Sequence, residues 1–249
     1  MKFTTFVSAL AILLTQTHAL GAADPGIREE TVHFPKGATS VVLKGQLKGD
    51  ATVDYLVRAA AGQTLTVKLT ATNPQNYFNV LPPGSSGEAM FVGSLGGDYS
   101  GMLPADGDYT VRVYLMRPAA RRGESSDYAL SIGATGKALA PVAASEDALI
   151  PGTPFHASAQ ITCVPYLETK PRDCEAFVTR RGFDGTGTVE IPGASAVTRS
   201  ILFVKGKPVA SNAPAATDPM TFERKGDTAV VRFGSEERYE IPNALLSGG

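Results

Sequence analysis

The sequence predicts an all-β protein: an N-terminal antiparallel β-sandwich followed by a second small β-rich domain with one disulfide. From about residue 31 onward, short alternating or β-branched runs are separated by turn residues, and helical periodicity is absent. Near the middle of the chain, a stretch rich in Ala, Gly, Pro and Ser has no apolar period. Because an average domain has roughly 100 to 200 residues, these features favour two units.

Residues 1–22 have the features of a cleavable signal peptide. Lys2 provides a positive start, residues 9–14 are apolar, and Ala19 and Ala22 offer small residues for cleavage. The apolar run is much shorter than the 20 or so residues that span a bilayer. The pattern predicts export to the periplasm, or secretion beyond it, without stable membrane insertion.

The first domain, residues 28–134, contains eight strand candidates, enough for two packed sheets. Turn sequences such as Gly49-Asp50 and Asn73-Pro74 separate them. The candidates are residues 39–47, 53–59, 64–69, 77–81, 89–93, 98–103, 109–116 and 128–132.

A linker is predicted at residues 135–148, and the second domain at residues 149–249. Short β-branched runs again alternate with Gly-containing turns. The strand candidates are residues 155–163, 176–180, 187–191, 199–204, 220–224, 228–233 and 237–241.

The two cysteines, Cys163 and Cys174, both lie in the second domain. An exported protein meets an oxidising compartment, so we expect a disulfide between them. A metal site is the alternative, but it would need further ligands, and His156 is the only histidine nearby.

Composition argues against several classes of function. The chain has 23 Lys and Arg residues and 24 Asp and Glu residues, so it has no overall positive charge that would attract nucleic acid. After the signal peptide only His33 and His156 remain, one in each domain, and neither lies in a nucleophile or metal motif. We therefore expect a protein that is not an enzyme and has no cofactor, no metal and no nucleic-acid partner.

The densest basic feature follows the strand candidate 109–116, whose odd-numbered residues form the predicted core face. Pro118 disfavours further strand pairing, so Arg117, Arg121 and Arg122 are expected to project from a loop. Guanidinium groups bind carboxylates bidentately, which suits an acidic cleft. The competing interpretation is solvated surface charge, partly paired with neighbours such as Glu124.

Three segments carry a family resemblance: YFNVLPPGS at residues 77–85, SGMLPADGDYTVRVYLMR at 100–117 and ARRGE at 120–124. They resemble the periplasmic inhibitors of goose-type lysozyme, over about residues 31–133. More loosely, the region is similar to the β-sandwich module behind the catalytic domains of secreted peptidases. The inhibitor resemblance implies a sandwich that blocks the cleft of goose-type lysozyme, its protein partner, by inserting a loop. Typical short inhibitors lack a second domain, so other functions stay open.

The resemblance implies that the arginine segment forms the contact surface. Lysozyme hydrolysis depends on acidic side chains, with which a guanidinium can pair. Tyr and Arg are also enriched among residues that dominate interfaces. The candidate partner-binding residues, in order, are Arg117, Arg121, Arg122, Tyr114, Tyr55 and Tyr77. For the last two, the competing interpretation is packing within the sandwich.

In the second domain, Cys163, the segment CEAFVTRRG at residues 174–182 and the segment ERYEIP at 237–242 resemble C-terminal modules of exported bacterial proteins, a resemblance that implies no activity. The Arg180-Arg181 pair of this domain is interpreted as surface charge, with an anion-binding spot as the alternative. For the whole chain, a non-catalytic envelope or glycan-binding accessory module is the alternative function. The absence of Trp weighs against a carbohydrate-binding platform.

Overall fold

The computed structural model describes residues 26–85, 87–193 and 198–248. The predicted signal peptide, residues 1–22, lies outside the described residues. The protein is all-β, as predicted, and its strands form three sheets. Within the part of the chain that the structure describes, no helix is both long and apolar enough to cross a membrane.

Among the described residues, two short α-helices and one turn of 3-10 helix, Gly93–Leu95, accompany the strands. In residues 27–135, the sandwich unit, the elements are β1 Ile27–Thr31, β2 Ser40–Lys48, β3 Thr52–Ala59, β4 Thr64–Ala71, β5 Asn76–Leu81, β6 Phe91–Val92, β7 Tyr99–Met102, β8 Gly107–Leu115, α1 Arg117–Arg121 and β9 Ser125–Thr135. In residues 157–247, the second unit, they are β10 Ala157–Val164, β11 Arg172–Arg180, β12 Gly187–Pro192, β13 Thr198–Val204, β14 Lys207–Ser211, β15 Met220–Lys225, β16 Thr228–Phe233, β17 Glu237–Pro242 and α2 Asn243–Ser247.

The sandwich unit packs a five-stranded sheet, in the order β1-β3-β8-β5-β6, against a four-stranded sheet, β2-β9-β4-β7. Alternation along β8 shows how the sequence produces this layer. Tyr109, Val111 and Val113 are fully buried and Leu115 nearly so, whereas the even-numbered residues face outward. The core face predicted for this strand is therefore confirmed.

Two observed strands escaped the sequence prediction. β1 contains a single apolar residue, Ile27, and three charged ones, so it has no alternating pattern, yet it pairs in parallel with β3 at the sheet edge. The first sheet is thus not purely antiparallel. β14 contains Pro208, which disfavours a strand assignment except at an edge. β14 does lie at the edge of its sheet.

The second unit is one eight-stranded antiparallel sheet, in the order β14-β13-β12-β11-β10-β17-β16-β15. The predicted disulfide is confirmed: Cys163 on β10 is bonded to Cys174 on β11, with Cα atoms 5.9 Å apart. Arg224 on β15 donates a hydrogen bond of 2.7 Å to the carbonyl oxygen of Gly206, in the turn before β14. This bond shows that the two edges of the sheet lie close together, and the sheet surrounds one apolar core, so it forms an incompletely closed barrel.

Residues 136–156 contain no strand but are bound to both units. The Leu139 amide donates to the Ala61 carbonyl of the sandwich unit at 2.9 Å, and the Val142 amide donates to the Arg180 carbonyl of the second unit at 2.8 Å. This segment is therefore held as a strap between them. The predicted linker boundaries, residues 135–148, stay a prediction.

Candidate functional site

The predicted arginine loop is a one-turn helix. Pro118 lies in the first turn of α1, where a missing backbone donor costs no hydrogen bond and its fixed φ suits a helix. Ala119 and Ala120 are buried against the sandwich and anchor the turn. The Ala120 amide donates to the Met116 carbonyl at 3.0 Å. The expectation of a loop was wrong because Pro118 was interpreted only as a strand breaker.

All three arginines of this segment are exposed. The Nε of Arg122 lies 2.6 Å from Oε1 of Glu124, so Arg122 is partly neutralised. The side-chain amide of Asn73 donates a hydrogen bond of 2.8 Å to Oε2 of Glu124. These hydrogen bonds, first that from Asn73 and then that from Arg122, lower the pKa of Glu124. Arg122 is thereby tied to the framework, as the alternative interpretation from the sequence proposed.

Arg117 and Arg121 differ from Arg122 because neither forms a hydrogen bond or an ion pair with another described residue. They stand four residues apart on a single helical turn, so their side chains leave the same side of α1. Arginine stays charged throughout the accessible pH range. The end of the sandwich that carries Arg117, Arg121 and Arg122, called the arginine end below, thus presents two uncompensated guanidinium groups.

Hydrogen bonds between neighbouring loops hold the arginine end in place. The Met116 amide donates to the carbonyl of Gln75 at 2.9 Å, directly before α1. On the other side of α1, the Gly49 amide donates to the Glu124 carbonyl at 2.9 Å. α1 therefore sits on a platform built from both sheets, and the two free arginines project from a rigid base.

Tyr114 and Tyr77 face each other across β8 and β5, on the outer face of the five-stranded sheet. Both are half-buried. The Tyr114 hydroxyl donates to Oδ1 of Asn79 at 3.1 Å, and burial raises the pKa of Tyr114. Tyr114 precedes α1 by only a few residues along β8 and Tyr77 is its neighbour on β5, so these tyrosines border the arginine end.

Tyr55 is a core residue, and its assignment as a partner contact is corrected. It is 1% exposed, and its hydroxyl lies 2.8 Å from the Tyr128 hydroxyl in the facing sheet. Tyr55 stands between Val53 and Val57 on the inward face of β3. That alternation was a sufficient signal, since every second residue of a strand shares a face.

The Arg180-Arg181 pair is not surface charge. Arg180 bonds to the carboxylate of Asp147 at 2.8 Å and to the Leu245 carbonyl at 3.2 Å. The Arg181 side chain is 2% exposed and pairs with Asp106 of the sandwich unit at 3.0 Å. Both arginines are held by structural contacts, which sequence reasoning missed because their carboxylate partners, Asp147 and Asp106, are distant along the chain.

The second unit packs on the end of the sandwich opposite α1. The Thr188 hydroxyl donates to the Pro104 carbonyl at 2.7 Å, just before β8, whereas α1 follows the end of β8. Ala61 of the sandwich packs with Leu202 and Ala210 of the second unit. The eight steps along β8, at about 3.3 Å each, separate the two ends by about 26 Å. The second unit therefore leaves the arginine end uncovered.

The arginine end thus combines exposed arginines with half-buried tyrosines at its border, and both residue types are enriched in protein–protein interfaces. Comparison with solved structures finds PliG of Aeromonas hydrophila, a periplasmic lysozyme inhibitor of g-type lysozyme, at 40% identity. The match covers 44% of this chain and 97% of that one, with a TM-score of 0.42. The 40% identity over nearly the whole Aeromonas protein carries the assignment: through its N-terminal part, this chain belongs to the family of periplasmic inhibitors of g-type lysozyme.

Two further inhibitors of g-type lysozyme match the chain. A mutant of the Escherichia coli protein is 29% identical, and the match covers 44% of this chain and 99% of that one, with a TM-score of 0.36. For the Salmonella Typhimurium protein the values are 27%, 43%, 98% and 0.35. The C-terminal part of the chain is unmatched. Neither the protein-family models nor the curated proteins contain a match.

Proposed function

We propose that this protein is a periplasmic inhibitor of g-type lysozyme and that its arginine end blocks the active-site cleft of the enzyme. The observation that carries the proposal is the pair of free guanidinium groups, Arg117 and Arg121, on an exposed helical turn. The similarity to the Aeromonas, Escherichia and Salmonella proteins, which are periplasmic inhibitors of g-type lysozyme, supports it. The protein acts by binding and carries out no reaction of its own.

The chemistry of glycoside hydrolysis explains why arginines suit this task. Such enzymes generally depend on carboxyl groups beside the scissile bond, one of which must donate or accept a proton. A guanidinium binds a carboxylate through two parallel hydrogen bonds and holds it ionised. Arg117 and Arg121, mounted on one turn, engage such groups and exclude the substrate from the cleft.

Preorganisation of the arginine end makes this contact effective. α1 is already folded and is anchored by Ala119 and Ala120, so little backbone entropy is lost on binding. The positive charge also speeds the encounter with an acidic cleft. Arg122, held by Glu124, contributes less than the two free arginines, while Tyr114 and Tyr77 supply contacts at the border.

A lysis assay tests the proposal. The mature protein is added in increasing molar ratio to a g-type lysozyme acting on bacterial cell walls, and in parallel to a chicken-type lysozyme. We expect saturable inhibition of the g-type enzyme. No inhibition of the g-type enzyme at large molar excess would refute the proposal, and retention of the protein on peptidoglycan without lysozyme would favour the glycan-binding alternative.

A further inference from the structure

A cleft with a volume of about 470 Å³ lies between the sandwich unit and the second unit, far from the arginine end. Its walls come from both units: Pro82, Pro83 and Ala105 from the sandwich, and residues of β12 and β13 from the barrel. Pockets of a few hundred Å³ at domain boundaries are typical sites for small ligands. The proposed inhibition makes no use of this cleft.

Alternation along β12 directs one carboxylate into the cleft. Val189 and Ile191 point into the barrel core, so Thr188 and Glu190 share the outward face. Thr188 contacts the sandwich directly, through the Pro104 carbonyl. Glu190, two residues further along this face, lines the cleft.

Glu190 is half-buried and forms no hydrogen bond or ion pair through its carboxylate with another described residue. Burial raises its pKa, because the ionised form loses water, and the attraction of nearby Arg181 offsets this effect only in part. An unpaired carboxylate in such a place costs folding free energy. A positively charged ligand would recover part of that cost.

The buried charges beside Glu190 are already compensated. Asp106 pairs with Arg181 at 3.0 Å. Arg199 is clamped by both oxygens of Glu237, at 2.7 and 2.9 Å, with both side chains 5% exposed. Glu88, which is exposed, is the other acidic residue of the lining. The charge left over in the cleft is therefore negative.

We propose that this cleft binds an organic cation, namely a primary amine carried on a short aliphatic chain. The ammonium group would pair with the Glu190 carboxylate, and the hydroxyl of Ser200, which lines the cleft opposite Glu190 on β13, offers a further acceptor. Pro82, Pro83 and Ala105 provide an apolar wall for the aliphatic part. The charge of the cleft excludes the corresponding carboxylic acid.

Calorimetric titration of the mature protein with 1,5-diaminopentane tests the site. We expect saturable binding of one molecule with a dissociation constant below about 1 mM. Glu190→Gln, which keeps size but removes charge, should weaken binding at least about tenfold, or about 1.4 kcal/mol. Glu175→Gln is the matched control, since Glu175 is an exposed carboxylate of the same sheet outside the cleft. Pentanoic acid should not bind.

Three further measurements separate loss of the site from loss of the fold and from the inhibitory surface. Thermal unfolding shows whether Glu190→Gln is folded, and Glu190→Asp, which keeps the charge, should retain part of the binding. The variant with Arg117→Ala and Arg121→Ala should bind the amine normally, so the cleft and the inhibitory surface are tested separately. Absence of saturable binding to the unmodified protein, or equal binding by Glu190→Gln, overturns the proposal.

Discussion

Arg181 and Asp106 join the two units through a contact in which one guanidinium nitrogen lies 3.0 and 3.2 Å from the two carboxylate oxygens. The same guanidinium bonds to the Leu139 carbonyl of the strap and to the Thr188 hydroxyl of the barrel. Asp106 in turn accepts the Ala61 amide at 2.8 Å. One arginine thus connects the sandwich, the strap and the second unit.

Arg181→Ala should loosen the connection between the units. The variant leaves Asp106 and the Leu139 carbonyl without their charged partner, and because Asp106 is partly exposed we expect a loss of about 1 to 3 kcal/mol in the free energy of unfolding. Urea denaturation followed by circular dichroism measures the change. Arg58→Ala, which removes an exposed pair with Asp108, is the control and should cost less than about 1 kcal/mol. Equal effects of the two variants would contradict the interpretation.

Arg117→Ala combined with Arg121→Ala should reduce inhibition of g-type lysozyme by about 1,000-fold, because hot-spot arginines contribute about 2 kcal/mol each and every 1.4 kcal/mol is a factor of about ten. The inhibition constant from the lysis assay measures this loss. Both side chains are exposed and unpaired among the described residues, so the unfolding midpoint should hardly move. Arg58→Ala, at the opposite end of the sandwich, should inhibit normally. An undiminished double variant would place the contact elsewhere.

Tyr55→Phe distinguishes a core residue from a contact residue. Loss of its hydroxyl leaves the Tyr128 hydroxyl without its buried partner, so we expect the free energy of unfolding to fall by about 1 kcal/mol. Inhibition by the folded variant should be unchanged, since the ring lies inside the sandwich. Tyr114→Ala, at the border of the arginine end, is the comparison and should weaken inhibition. Weaker inhibition by Tyr55→Phe at unchanged stability would instead show that Tyr55 contributes to the contact with lysozyme.

The pKa of the Glu124 carboxyl group should show which of its two hydrogen-bond partners stabilises the ionised form more. Its pKa is lowered from 4.5 in the folded protein, so its stabilising contribution is present above about pH 4.5 and disappears as the pH falls through the folded value. Side-chain NMR titration should show a larger rise in this pKa for Asn73→Ala than for Arg122→Ala, because the Asn73 hydrogen bond is the larger cause. The reverse order would show that the ion pair with Arg122 dominates.

Local pattern was enough for most of the fold. Alternation and turn residues predicted fifteen strand segments, and each overlaps an observed strand. The disulfide between Cys163 and Cys174 followed from their number and the predicted export. The edge strands β1 and β14 were missed because a charged strand and a proline-containing strand lack the apolar alternation that marks a buried one.

The sequence by itself determined the all-β class, the inward face of β8 and the cluster of arginines after it, because these depend on residues close together in the chain. Only the tertiary structure decided which arginines are available. Arg180 and Arg181 found partners more than thirty residues away and became buried, whereas Arg117 and Arg121 lie on a turn without any such partner among the described residues. Pairing over such distances depends on how the sheets pack, and no local pattern encodes it.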